Sequence, residues 1–143
     1  MSVVVDTNLV VATIIPLPYS EASSEKMASW KQRGEKILAP VLWEYELITA
    51  LHRSLSQGRL TSDQAHYALR QAIILNLESI SPTENLHRSA LAWAKHLGQS
   101  KAYDSQYLAL AEQEGAELWT GDQRLANRAN QLGIGWVHWV GEY

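Results

Sequence analysis

The chain has no cysteine in its 143 residues, which excludes both a disulfide framework and a metal site built on thiolates. Positive charge is not in excess either, since twelve Lys and Arg stand against fifteen Asp and Glu and give a formal net charge of −3. No global basic field therefore marks nucleic-acid binding, and a polyanionic substrate would have to be held by a local feature. The longest mostly apolar run, residues 9–15, is far shorter than the ~20 residues that span a bilayer. These absences predict a cytoplasmic protein.

Short apolar runs alternate with helical patterns along the whole chain, which is 46% hydrophobic. The length predicts a single domain over residues 1–143. Strands are expected near residues 2–5, 36–39, 77–80, 117–120 and 136–140. Between them, Thr61 to Gln64 has the pattern of a capping box, and Gly98 ends a predicted helix. This alternation predicts an α/β fold with a mainly parallel sheet covered by helices on both faces.

Acidic residues fall where such a sheet would place a ligand, outside the carboxyl ends of its strands. Asp6 ends the first strand, and Asp122 follows the strand that ends at Thr120. Asp104 lies in the first turn of a predicted helix, on the same face as apolar side chains. Asp6 could instead cap the following helix, and Asp104 could complement the helix dipole. Three acids at one edge repel by about 4 kcal/mol per pair at ~4 Å and an effective dielectric constant of ~20, and a divalent cation would remove that cost.

A fourth acid is offered by the helix after Pro40, which carries Glu44 and Glu46. Their side chains point to nearly opposite sides of that helix because they are two residues apart. Helical spacing places Glu44 within an apolar stripe, whose members are Leu47, Ile48, Leu51 and Leu55. Glu46 falls on a small and polar flank, formed by Thr49, Ala50 and Arg53. A ligand that lines a cleft belongs on the polar flank, so Glu46 is favoured over Glu44.

Four segments in this order carry a resemblance to a known family. They are residues 3–8 (VVVDTN), residues 39–51 from Ala39-Pro40 through Glu46 to Leu51, residues 103–108 (YDSQYL) and residues 118–122 (LWTGD). Asp104 and Asp122 are 18 residues apart. Together the segments resemble the PIN domain and, more narrowly, the VapC toxins of type II toxin–antitoxin pairs.

The resemblance implies a three-layer α/β/α sandwich and an acidic metal site. The implied metal ligands and catalytic residues are Asp6, Glu46, Asp104 and Asp122, and the implied supporting residues are Thr7, Asn8 and Thr120. The family tends to place an Asn three residues after the second acid, where this chain has Thr49. An antitoxin partner and a homodimer also follow from the resemblance alone.

The acids suit Mg²⁺ or Mn²⁺ better than Zn²⁺, because they are hard oxygen ligands and cysteine is absent. The five histidines are scattered without metal-ligand spacing: His52, His66, His87, His96 and His138. We expect a metal-dependent ribonuclease that is the toxin of a type II pair. The alternatives are a PIN-type RNA-processing nuclease without an antitoxin and a catalytically inactive PIN-like binding module. Four basic residues are candidate phosphate contacts, and the alternative is that they are ordinary solvated charges. They are Lys101, Arg124, Arg128 and Arg53.

Overall fold

The computed structural model of the chain describes residues 1–98 and 103–142. The strands are β1 (Ser2–Val5), β2 (Lys36–Pro40), β3 (Glu78–Ile80), β4 (Glu117–Thr120) and β5 (Val137–Trp139). The helices are α1 (Thr7–Ala12), α2 (Ser20–Gln32), α3 (Leu42–Ser56), α4 (Ser62–Ile74), α5 (Glu84–Leu97), α6 (Tyr103–Glu114) and α7 (Gln123–Gln131), and a 3₁₀ turn follows at Val140–Glu142. The predicted alternation of strands and helices is confirmed.

The five strands form one sheet in the order β3-β2-β1-β4-β5, and all four neighbouring pairs are parallel. Val4 lies opposite Leu38 of β2 on one side and Leu118 of β4 on the other. The carboxyl ends of all the strands therefore meet at one edge of the sheet, with β1 in the middle. Asp6 and Asp122 follow the neighbouring strands β1 and β4, so this topology brings both to that edge.

Burial of apolar side chains explains the central position of β1. Its three valines, Val3, Val4 and Val5, are fully covered, as a parallel sheet flanked by helices requires. Helix α6 packs against β1, β2 and β4, and α5 packs against α6. The side chains of α6 are buried almost all round, including Tyr107 and Leu108. Helix α6 therefore belongs to the core rather than to the surface.

Local signals set several helix ends. Thr61 and Gln64 form the predicted capping box at the start of α4, with both reciprocal hydrogen bonds present. Gly98 ends α5 in the left-handed conformation with φ of 72°, which glycine adopts without steric penalty. Of the helices in the described part of the chain, none is both long and apolar enough to cross a membrane.

Two members of the predicted apolar stripe of α3, Ile48 and Leu55, are not fully buried. Leu47 and Leu51 are buried as expected, and Trp43 joins them, but the side chain of Ile48 is 52% exposed. Residues 43, 47 and 51 are four apart and share one face, whereas position 48 is rotated by about 100° from position 47. The prediction that Ile48 belongs to the core is wrong. Glu44 is also exposed rather than lying in an apolar stripe.

Leu108 and Ile48 provide a matched test of this packing. We expect Leu108→Ala to lower the free energy of unfolding by about 2–5 kcal/mol, because Leu108 is fully buried and its truncation leaves a cavity. Ile48→Ala should change it by no more than about 0.5 kcal/mol, as is usual for exposed positions. Urea unfolding of both variants measures the difference. Equal losses in the two variants would contradict the placement of α3.

Candidate active site at the sheet edge

Asp6 is the most constrained acid at the carboxyl edge of the sheet. Its side chain is buried, and one carboxylate oxygen, Oδ1, accepts hydrogen bonds from the backbone N–H groups of Leu9 at 3.1 Å and Gly121 at 3.3 Å. The other oxygen, Oδ2, accepts a bond from the hydroxyl of Thr120. The bond from Leu9 caps α1, as one sequence interpretation proposed. Asp6 thus joins the ends of β1 and β4.

The pKa of Asp6 is raised to about 7 by burial, with a small contribution from the negative charge of Asp104 and against the hydrogen bonds from Thr120, Leu9 and Gly121. The largest cause is the removal of the carboxylate from water. The charge of Asp104, at the start of α6, is the smallest of these contributions. A cation beside Asp6 would favour its charged form and offset both costs.

Asp122 is held near Asp6 by the turn that follows β4. The hydroxyl oxygen of Thr120 accepts a 2.8 Å bond from the backbone N–H of Asp122. Asp122 caps α7, with Oδ1 accepting bonds from the N–H groups of Arg124 at 2.9 Å and Leu125 at 3.4 Å. Thr120 therefore orders both acids, since it donates to Asp6 and accepts from the backbone of Asp122.

Glu46 turns towards the start of α1. Its Oε1 atom accepts hydrogen bonds from the hydroxyl of Tyr107 at 2.5 Å and from that of Thr7 at 3.1 Å. The two hydroxyl oxygens are themselves 2.8 Å apart. Glu44 instead accepts a 3.4 Å bond from Ser79 on the exposed side of α3. The structure thus brings Glu46, and not Glu44, next to Thr7, the residue that follows Asp6.

Tyr107 is a site residue that the sequence did not single out. It is buried on α6, one turn after Asp104, where its ring was predicted only as part of an apolar face. Burial raises its pKa well above 10, and the charge of Glu46 raises it further, so the phenol stays protonated and donates. A buried tyrosine needs a hydrogen-bond partner for its hydroxyl. A tyrosine on an apolar helix face could therefore have indicated Tyr107 from the sequence.

Tyr19 is the second site residue that the sequence did not reveal. It precedes α2 and is half-buried, with its ring against the backbone of Gly121. Burial raises the pKa of Tyr19, and the charges of Asp6 and Asp122 add to the increase. The ring therefore lies beside the turn between Thr120 and Asp122.

The remaining predicted residues in the described part of the chain, a supporting residue and the phosphate contacts, are not held at the site by buried hydrogen bonds. Asn8, expected as a supporting residue, is exposed on α1, and Arg53 is exposed on α3. Arg124 lies 3.9 Å from Asp122 but is 95% exposed, so solvent screens the pair. Arg128 donates to the backbone oxygen of Leu97 at 3.4 Å. Lys101 lies outside the described residues.

The donor set at this edge consists of oxygen atoms only. Within residues 1–98 and 103–142, no group of three His, Asp or Glu side chains is arranged to hold a metal ion by itself. Mg²⁺ suits such an edge, because it prefers oxygen ligands and keeps several waters when it binds to one or two carboxylates. The buried Asp6, with the charge of Asp104 acting on it, fits that mode of binding.

The chain matches the family model described as the PIN domain over residues 3–131. Its fold is similar to that of a solved structure described as a toxin-antitoxin complex from Klebsiella pneumoniae, with a TM-score of 0.68, 16% sequence identity and coverage of 96% of each chain. Comparison with curated proteins finds no match. At this low identity the structural likeness concerns the fold alone, and it agrees with the predicted α/β architecture.

The pKa of Asp6 predicts how the stability of the metal-free protein depends on pH. The folded chain holds a proton on Asp6 up to about pH 7, whereas the reference value for an unfolded chain is 3.8. The stabilisation that this proton provides is complete below the pKa of the unfolded chain. It is lost as the pH rises through the pKa of the folded chain. In EDTA, we expect the free energy of unfolding of the wild type to fall between about pH 4 and pH 7. Asp6→Asn should fall less, because its amide has no proton to lose, and identical pH profiles would contradict the burial of Asp6.

Proposed function

The chain belongs to the PIN domain family, and from this premise we propose that it is a Mg²⁺- or Mn²⁺-dependent ribonuclease and the toxin of a type II toxin–antitoxin pair. PIN domains are generally nucleases that use divalent metals. The observation that carries the proposal is the buried carboxylate of Asp6, with Asp104 close enough to raise its pKa. A cell interior, where RNA is available, is the proposed location, and the cytoplasm is the compartment that the composition favours.

Asp6 and Asp104 would be the main metal ligands in this proposal. Asp122 and Glu46 would complete the shell, directly or through waters, or orient the attacking water. When bound, the ion would supply charge to the scissile phosphate and lower the pKa of a water molecule. Hydrolysis would form a bond between a water oxygen and phosphorus, break the bond from phosphorus to the leaving ribose oxygen, and transfer a proton to that oxygen.

The protein's own hydroxyl groups would prepare these acids for that role. Thr120 holds one oxygen of Asp6, so the orientation of that carboxylate is fixed before a metal arrives. Tyr107 and Thr7 both engage Oε1 of Glu46, which orients its carboxylate at the start of α1. Asn8 would support the site from its exposed position on the same helix.

An acidic protein would hold RNA through the metal and through individual cations. Arg53 and Arg124 are exposed and therefore available for phosphate contacts. Arg128 would have to leave the carbonyl oxygen of Leu97 to reach a phosphate. Lys101, which precedes Asp104 by three residues, is proposed from its position in the sequence.

An antitoxin partner is supported by the description of the similar solved structure as a toxin-antitoxin complex. A homodimer is proposed from the resemblance of the sequence to VapC-type toxins. The RNA-processing nuclease and the inactive binding module remain the outcomes that the following experiments would reveal if the toxin proposal fails.

Exchange of Asp104 tests the catalytic assignment. We expect Asp104→Asn to lower Mn²⁺-dependent cleavage of single-stranded RNA by more than about 100-fold, because loss of even an outer-shell partner of a metal ligand costs about 10–100-fold. Glu44→Gln is the matched control, since Glu44 is exposed on α3, and it should retain the wild-type rate. Calorimetric titration with Mn²⁺ should show weaker binding to Asp104→Asn alone. Full activity in that variant would refute the assignment.

Expression in a bacterial host tests the role as a toxin. The wild type should arrest growth, and Asp104→Asn should permit it at the same protein level. A small DNA-binding protein encoded beside the gene should restore growth when it is co-expressed and should co-purify with the chain. Normal growth with an enzyme that cleaves RNA in vitro would instead favour an RNA-processing nuclease.

A further inference from the structure

Tyr19 and Gly121 form a close contact at the edge of the sheet. A Cβ atom added at Gly121 would lie 2.6 Å from Cε2 of Tyr19 and 3.0 Å from both its Cζ and its Oη. The first distance is shorter than real Cβ contacts, and the other two are tighter than most, so a residue with a Cβ would require the phenol to shift. Gly121 is absent from the residues with positive φ in the described chain, and its backbone conformation does not itself demand glycine. The contact with Tyr19 is therefore the physical reason for a glycine at this position.

The same contact places the phenol inside the proposed active site. Gly121 lies between Thr120, which bonds Asp6, and Asp122, which caps α7. The backbone N–H of Gly121 itself donates to Asp6 at 3.3 Å. Tyr19 thus packs on the turn that orders two of the proposed metal ligands. Tyr19 as a whole is half-buried.

A phenol hydroxyl is a suitable donor at such an edge. A tyrosine hydroxyl carries a proton at neutral pH and can donate one hydrogen bond. RNA brings phosphate and ribose oxygens, which accept hydrogen bonds from tyrosine side chains. Tyr19 also comes from the segment between α1 and α2, which contributes none of the four acids. It can therefore act on the substrate without being part of the metal site.

We infer that Tyr19 is a substrate-binding residue whose Oη atom donates a hydrogen bond to a backbone oxygen of RNA beside the scissile phosphate. This inference rests on the proposed ribonuclease function and adds to it a contact outside the acidic set. Gly121 acts as a positioning residue, because the absence of its side chain allows the phenol to reach the turn between Thr120 and Asp122.

Tyr19→Phe separates the hydroxyl from the ring. We expect it to raise both KM and the Kd for single-stranded RNA by about tenfold, as the loss of a hydrogen bond to a charged group predicts. The kcat and the Mn²⁺ affinity should stay within about twofold of the wild type, because Tyr19 is not a proposed metal ligand. Kd is measured by fluorescence anisotropy of a labelled RNA with Ca²⁺ as the divalent ion, and Mn²⁺ affinity by calorimetry. Tyr67→Phe, an exposed tyrosine on α4, is the matched control and should change none of these quantities.

Two results would overturn the inference. Wild-type KM and Kd in Tyr19→Phe would reduce Tyr19 to a packing partner of Gly121, and a parallel loss of Mn²⁺ affinity would make it part of the metal site. RNA binding without cleavage by the wild type would refute the proposed function, and the comparison of Kd would still decide the role of Tyr19. Absence of RNA binding by the wild type would overturn both.

Discussion

A carboxylate buried at the end of the central strand is the constraint on which the carboxyl edge of the sheet depends. Asp6 is carried there by three buried valines of β1. Burial of a charge beside a core is costly unless hydrogen bonds or a cation compensate for it. The chain supplies the bonds from Thr120, Leu9 and Gly121, and these bonds also join β4 and α1 to the end of β1. The conformation of the turn after β4 is thus set by the hydrogen bonds that it donates to the Asp6 carboxylate.

The acids at this edge are held by different parts of the fold, and the hydroxyl groups link those parts. Thr120 connects the turn before α7 with β1, and Tyr107 connects α6 with α3. Asp6 and Glu46 are therefore oriented by hydroxyl groups on other elements, whereas Asp122 is held by the backbone of the helix that it caps. Rigid placement of this kind lowers the cost of assembling a metal and a substrate, because the side chains lose little additional freedom on binding.

Local patterns in the sequence predicted the helices and strands. The site residues that these patterns did not reveal depend on contacts between distant parts of the chain. The capping box at Thr61 and the end of α5 at Gly98 involve residues a few positions apart, and both are confirmed. The preference for Glu46 used a helical stripe whose member Ile48 is exposed. What distinguishes Glu46 in the structure is its bond with Tyr107, 61 residues away. Tyr19 carries no local signature, because its role depends on the space left by a distant glycine.

The sheet order has a consequence for the moment at which the acidic edge can form. Thr120 and Asp6 are separated by 114 residues, and β4 is inserted directly beside β1. Chains are synthesised from the amino terminus, so the first acid leaves the ribosome long before its hydroxyl partner. A partly synthesised chain therefore lacks an ordered acidic edge, and this edge closes only when β4 docks. Translation of β4 thus sets the earliest moment at which the acids of this edge can be ordered.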